Sequence, residues 1–150
     1  MNTRIRKAKI EDLGFLQEIS RRTIKNSYPS FLGEEAVYSY INSGLPNLYM
    51  QENINDCSVL LLNENIVGFS VCKNNLIDLM MIDCNFHRKG LGTILLQYME
   101  QELFKGYDEL ELESFENNNQ ANEFYKHHDW VEIIRIQDSG INKIVLRKKR

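Results

Sequence analysis

The chain has 150 residues, with 18 Lys and Arg against 21 Asp and Glu, a formal net charge of -3 and 43% hydrophobic residues. That length suits one domain with a sizeable core, and the mild negative charge argues against broad nucleic-acid binding. No apolar run approaches the ~18 residues of a membrane span, and no charged-then-apolar leader is present, so neither a membrane anchor nor a signal peptide is expected. Cys57, Cys72 and Cys84 lack metal-type spacing and are expected as reduced thiols in the cytoplasm.

In chain order, Thr3 to Ala8 reads as a strand. Glu11-Asp12 open a helix to about Lys25, with Leu13, Leu16 and Ile19 toward a core and acids in its first turn. Asn26 to Gly33 reads as a loop, because Tyr28-Pro29 breaks the helix. A second helix is predicted from about Gly33 to Ile41, and the polar stretch Asn42 to Asp56, with Gly44 and Pro46, as a long loop. Ser58 to Leu62 and Ile66 to Cys72, joined by Asn63-Glu64-Asn65, carry a hairpin signal. Leu76 to Asp83 is the next strand, and Leu91 to Phe104 a helix with Leu91, Leu95, Tyr98 and Met99 on one stripe. Glu109 to Phe115 alternates cleanly, with Leu110, Leu112 and Ser114 on one face. Asn118 to His127 is a helix with Ala121, Phe124 and Tyr125 inward, and Val131 to Ile136 with Lys143 to Leu146 form a final hairpin around Asp138-Ser139-Gly140. The basic ends, Arg4 to Lys9 and Arg147 to Arg150, read as solvated faces. This order predicts an α/β single domain, with a mixed central sheet of about seven strands flanked by about four helices.

Between the strand ending at Asp83 and the helix from Leu91 stands His87-Arg88-Lys89-Gly90-Leu91-Gly92-Thr93. A basic, glycine-containing turn at a helix N-terminus can cradle a pyrophosphate, because free backbone N–H groups and the positive end of the helix dipole converge there. It is not a dinucleotide fingerprint, since the third glycine position holds Leu95. Nor is it a P-loop, since Thr93-Ile94 follow Gly92 where Lys-Ser/Thr is required.

The turn resembles the acetyl-CoA signature of the GCN5-related N-acetyltransferases, Gln/Arg-x-x-Gly-x-Gly/Ala at the end of the fourth strand, with His87 at the Gln/Arg position and Cys84 where Pro is common. A second stretch, Asn118-Asn119-Gln120-Ala121-Asn122-Glu123-Phe124-Tyr125 followed by Asp129-Trp130, is similar to that family's Asn-x-x-Ala-x-x-Phe/Leu-Tyr and Gly-Phe pattern, with Asp129 in place of Gly. Asp also tolerates a left-handed helix stop. The resemblance covers roughly Ile66 to Ile136. It implies the acyl-CoA N-acyltransferase fold, acetyl-CoA as co-substrate without a metal, and transfer of an acetyl group to a primary amine by direct attack in a ternary complex. The cofactor contacts it implies are the main chain of Met80, Met81 and Ile82, the turn residues His87, Arg88, Lys89, Gly90, Leu91, Gly92 and Thr93, and Asn118 and Tyr125. The resemblance also implies that the fourth strand splays from the fifth; in that gap the Met80 amide would face the acetyl carbonyl, and the Ile82 amide and carbonyl would hold the pantetheine arm.

The residues themselves admit plainer readings. Leu79 to Ile82 is also a core strand, Asn118 a helix N-cap, and Tyr125 a packing aromatic beside Phe124. The resemblance makes Tyr125 the acid that protonates the leaving thiolate, work that a phenol of pKa about 10 can do. Glu113 matches the glutamate of ribosomal-protein N-terminal acetyltransferases and is the first candidate base, though it also reads as an exposed carboxylate on the polar face of a strand. Asp78 or a chain of waters are the alternatives. Cys84 as a covalent nucleophile has no placed partner. His127 and His128, being adjacent, do not share a helix face as metal ligands and read as helix-end residues.

For the acceptor, the resemblance points to the space between the first two helices and the last hairpin. Tyr28, Phe31, Tyr38, Tyr40 and Tyr49, with acids from Glu109 to Glu116, would there suit a cationic amine. The acceptor is a small-molecule amine or a peptide or protein amine. A homodimer through Trp130 to Leu146 is a further expectation. The alternative function is a non-catalytic acyl-CoA-binding sensor or interaction domain.

Overall fold

The computed structural model describes residues 2–138 and 140–150; Ser139, at the predicted turn of the last hairpin, lies outside them. One seven-stranded sheet runs through the molecule. Its strands are β1 (Thr3–Lys7), β2 (Cys57–Leu62), β3 (Asn65–Lys73), β4 (Leu76–Ile82), β5 (Glu109–Phe115), β6 (Val131–Asp138) and β7 (Ile141–Lys149), in the order β1-β2-β3-β4-β5-β7-β6. Every neighbouring pair is antiparallel except β4 with β5, so the sheet is mixed as expected. Asn63 and Glu64 join β2 to β3 with φ of 50° and 68°, the left-handed pair that a two-residue hairpin turn requires.

Among the described residues six α-helices cover the sheet rather than about four: α1 (Leu13–Ser27), α2 (Pro29–Leu32), α3 (Glu34–Asn42), α4 (Leu45–Asn53), α5 (Leu91–Leu103) and α6 (Asn119–His127). The two extra ones correct the predicted loops. Pro29 and Pro46 stand in the first turns of α2 and α4, where a missing N–H costs nothing, so each starts a helix instead of ending one. α4 is fastened to α1 by polar bonds: Gln17 Nε2 donates to the Asn47 carbonyl at 3.0 Å and Arg21 to Asn47 Oδ1 at 2.7 Å. Met50 is buried on its inner side.

Strand alternation sorts the core into two layers. Leu60, Val67, Ile77, Leu110, Leu112, Ile144 and Leu146 face Leu91, Leu95, Leu96 and Met99 of α5, with Trp130 beside them. Val59, Leu61, Phe69, Val71 and Met81 face Leu16, Ile19 and Ile24 of α1, with Val37 and Met50. The β4 register against β3 slips once, between Val71↔Leu79 and Cys72↔Ile77, leaving Asp78 as an extra residue. This bulge reverses the phase of the strand: Ile77 packs toward α5, whereas Leu79 and Met81 pack toward α1.

Gly68, opposite Ile82, lets β3 and the end of β4 approach closely. A Cβ there would lie 2.9 Å from the Met81 carbonyl oxygen and 2.7 Å from Ile82 Cδ1. Gly68→Ala should therefore push the end of β4 outward and cost about 1–3 kcal/mol, the usual cost of overpacking. Urea denaturation measures it, and a loss below about 0.5 kcal/mol would mean that β4 yields without strain.

Candidate active site

β4 and β5 are zipped only at their start. Their register pairs are Leu76↔Glu111 and Ile77↔Leu112, with Glu111 N–H on the Asn75 carbonyl at 3.0 Å and Asn75 Nδ2 on that of Glu109 at 3.1 Å. Beyond Ile77 they part. The bulge at Asp78 supplies the physical reason, since an extra residue bends and twists its strand. β5 stays paired with β7 along its full length.

Antiparallel pairing fixes what fills the gap. Asp83 N–H donates to the Val67 carbonyl at 2.8 Å, so Asp83 and Val67 form a hydrogen-bonded pair. Alternation then gives Met81 and Leu79 their bonds to β3 and turns the N–H and C=O of Met80 and Ile82 the other way, toward the departed β5. The Ile82 carbonyl does point there: His87 Nε2 donates to it at 2.7 Å. His87 thereby closes the turn onto the last carbonyl left unpaired by the splayed strand.

The basic turn forms as expected. Gly90, with φ 77°, is the N-cap of α5 and has no side-chain cap bond, so the first N–H groups of the helix are unengaged by a cap. Arg88 takes φ 63°, and Arg88 and Lys89 are exposed. The other turn residues have structural duties as well. Leu91 is buried in the core and offers only main chain. A Cβ on Gly92 would lie 3.3 Å from the Phe124 ring, so this glycine serves the packing of α5 on α6. Thr93 Oγ1 lies 3.2 Å from His128 Nε2, whose Nδ1 lies 2.8 Å from the Phe124 carbonyl oxygen. With Nδ1–H donating to that carbonyl, Nε2 accepts the Thr93 hydroxyl.

The entrance to the turn is held by Asp83. Its carboxylate is almost fully buried and takes both prongs of Arg22 on α1, at 2.6 and 3.2 Å, together with the Asn85 N–H at 3.1 Å. Burial works against the charge, but Arg22 and Asn85 outweigh it and hold the carboxyl below its ordinary range.

A cleft of about 630 Å³ passes through the gap. On one side it reaches Met80, Asn118, Ala121 and Tyr125, and on the other Tyr28, Tyr40, Tyr49, Asp78 and Glu113. Asn118 caps α6, accepting from Ala121 N–H at 3.3 Å, while also lining the cleft. Burial, and next the neighbouring Tyr28, push the Tyr125 phenol well above its ordinary pKa. Burial likewise pushes Tyr28 up to about 12.

Of the acids, Glu113 and Asp78 reach the cleft. They are the first residues on either side of the split and share the face turned to α1–α4. Glu109 and Glu111 are held by Arg147 at 3.4 and 3.1 Å, and Glu116 by Arg135. Glu113 makes no ion pair among the described residues. The Tyr49 hydroxyl donates to Asp78 in a short hydrogen bond, a pair that sequence reasoning missed because it read residues 42–56 as a loop. Phe31 backs the wall by packing on Tyr28 and Phe115, at 5.1 and 5.6 Å between ring centroids. Tyr38, expected at the acceptor side, is 72% exposed and does not line the cleft.

The three cysteines are free thiols; burial pushes Cys57 up to about 12 and Cys72 up to about 11, which leaves both poor nucleophiles. Among the described residues no group of three His, Cys, Asp or Glu side chains could hold a metal ion, and no helix is long and apolar enough to cross a membrane.

A sheet split at its centre, with unpaired main chain facing a glycine-turned helix N-terminus, is the architecture of an acyl-CoA N-acyltransferase. The chain belongs to the GNAT acetyltransferase family: the model of the acetyltransferase (GNAT) domain matches residues 15–148. Among solved structures it is similar to the PaiA N-acetyltransferase of Thermoplasma acidophilum in complex with coenzyme A, with 23% identity, all of both chains covered and a TM-score of 0.82. It is also similar to a GCN5-related N-acetyltransferase from Rhodopseudomonas palustris, with 18% identity, 100% of this chain and 97% of that one covered, and a TM-score of 0.86. The ribosomal-protein-S18-alanine N-acetyltransferase of Escherichia coli follows at 17% identity, 99% and 94% coverage and a TM-score of 0.75. At these identities the likeness is one of fold. No curated protein sequence matches the chain.

Proposed function

We propose that the protein transfers an acetyl group from acetyl-CoA to a primary amine by direct attack, with both substrates bound across the split sheet. The observation that carries this reading is the parting of β4 from β5 after Ile77, with the main chain of Met80 turned into the gap beside the uncapped basic turn. The residues present fit coenzyme A: the N–H groups at the start of α5, with Arg88 and Lys89, would hold its pyrophosphate, and the free edge of β4 its pantetheine arm. When bound, acetyl-CoA supplies an activated thioester.

The remaining work falls to the chain. The Met80 N–H is the donor for the oxygen that becomes negative as the amine nitrogen bonds to the carbonyl carbon; one such donor is worth roughly 3 kcal/mol in other enzymes. Glu113 takes the proton that the amine must lose, directly or through water. As the C–S bond breaks, Tyr125 gives its proton to the leaving sulfur and recovers one from solvent. Burial of its phenol supports this role, because the group stays protonated throughout the neutral range.

The test is release of free thiol from acetyl-CoA in the presence of a panel of amines and amine-bearing peptides. Activity is expected, and Glu113→Gln should lower kcat by on the order of 10²-fold at neutral pH. Tight binding of coenzyme A with no amine ever acetylated would replace this reading by that of an acyl-CoA-binding sensor. Undiminished activity in Glu113→Gln would move the base to Asp78 or to water.

A further inference from the structure

Within the proposed reaction, the chemical class of the acceptor can be read from the charges that line its side of the cleft. Past the split, Asp78 and Glu113 face the same space from the two strands, and Tyr49 holds Asp78 in place. Among the described residues one cation also lines the cleft, Lys143 at the start of β7. Its position is fixed by the sheet: Lys143 is the register partner of Phe115, and its Nζ stands 5.7 Å from the centre of the Phe115 ring. Phe115 lies two residues beyond Glu113 on the same face of β5, which sets the two side chains roughly 7 Å apart along the strand. Tyr28 closes on the Phe115 ring edge-on at 6.0 Å.

The wall therefore presents, in order, a pair of carboxylates, an aromatic floor and a cation. α4, pinned to α1 through Asn47 and to β4 through Tyr49, bounds the carboxylate end of the cleft. We infer that the acceptor is a small primary amine with an apolar or aromatic body and an anionic group at its far end. Its amine would lie at Asp78 and Glu113, its body against Phe115 and Tyr28, and its carboxylate or phosphate on Lys143. Lys143 is thus a specificity-determining residue, because a cation held over a ring is matched by an anion and adds nothing for a neutral substrate.

The inference rests on the acetyltransferase reading, and a matched pair of acceptors separates the two. 4-(Aminomethyl)benzoate and benzylamine carry the same reacting amine on the same ring and differ by one carboxylate. With acetyl-CoA, kcat/KM for the benzoate should exceed that for benzylamine on the order of tenfold or more, the value of a charge-assisted hydrogen bond. The advantage should lie chiefly in KM. In Lys143→Met the ratio should fall to about one, and in Lys143→Arg it should largely return. Equal use of the two amines, or a preference for the benzoate that survives Lys143→Met, overturns the inference and leaves the acetyltransferase reading standing. No thiol release with any amine, while coenzyme A still binds, overturns the enzymatic reading and this inference with it.

Discussion

Tyr125→Phe is expected to lower kcat by roughly 10²–10⁴-fold, the usual contribution of a placed acid, while coenzyme A binds nearly as tightly as before. The ring of Tyr125 packs edge-on against Phe124 and Trp130, with centroids 5.5 and 6.3 Å away, and phenylalanine keeps those contacts. Only the hydroxyl is lost. Because burial and Tyr28 raise the phenol above its ordinary pKa, it is protonated at every pH where the enzyme would be assayed. The alkaline limb of a pH–rate profile should then belong to other groups. Steady-state kinetics together with calorimetry of coenzyme A binding decide the matter. An unchanged kcat would make Tyr125 a packing residue, and equal losses of turnover and affinity would make it a binding one.

Trp130→Ala should cost about 3–5 kcal/mol, the range for truncating a large buried aromatic, out of a total stability on the order of 5–15 kcal/mol. Trp130 is 2% exposed and sits in the core layer beneath α5 and α6. Its indole N–H donates to Glu100 Oε2 at 2.7 Å, and Lys148 Nζ reaches Glu100 Oε1 at 3.0 Å. Truncation thus opens a cavity and also strips a nearly buried carboxylate of one of its two partners. Trp130→Phe should cost less, about 1–3 kcal/mol, because the cavity is largely filled and only the indole donor is gone. Urea denaturation followed by far-ultraviolet circular dichroism measures both. A loss near 1 kcal/mol for Trp130→Ala would mean that the core closes over the gap.

These two predictions differ in how far the sequence alone leads to them. Tyr125 stands out in the sequence through its spacing from Asn118, and Asp129 takes the left-handed turn, φ 70°, expected at the helix stop. The Glu100–Trp130–Lys148 cluster carries no such sign. Glu100 lies on α5 in a helical pattern where an acid ordinarily faces solvent, and its partners are 30 and 48 residues away. The Tyr49–Asp78 bond was hidden in the same way. α4 is weakly amphipathic, with Leu45 and Leu48 exposed, and tertiary bonds from Gln17 and Arg21 tie it to α1.

Hydrophobic periodicity, glycine turns and helix caps act over a few residues, so the succession of strands along the chain and the helices α1, α3, α5 and α6 are legible in the amino-acid sequence. It also marked the basic turn and the Asn118–Tyr125 stretch, whose chemistry lies in consecutive residues. That β4 parts from β5 is implied by the family resemblance; which acids face the cleft, where His87 turns, and that the parting falls after Ile77 came from the folded structure. Those depend on a single extra residue in one strand and on partners distant in the chain, and no local pattern of residues encodes them.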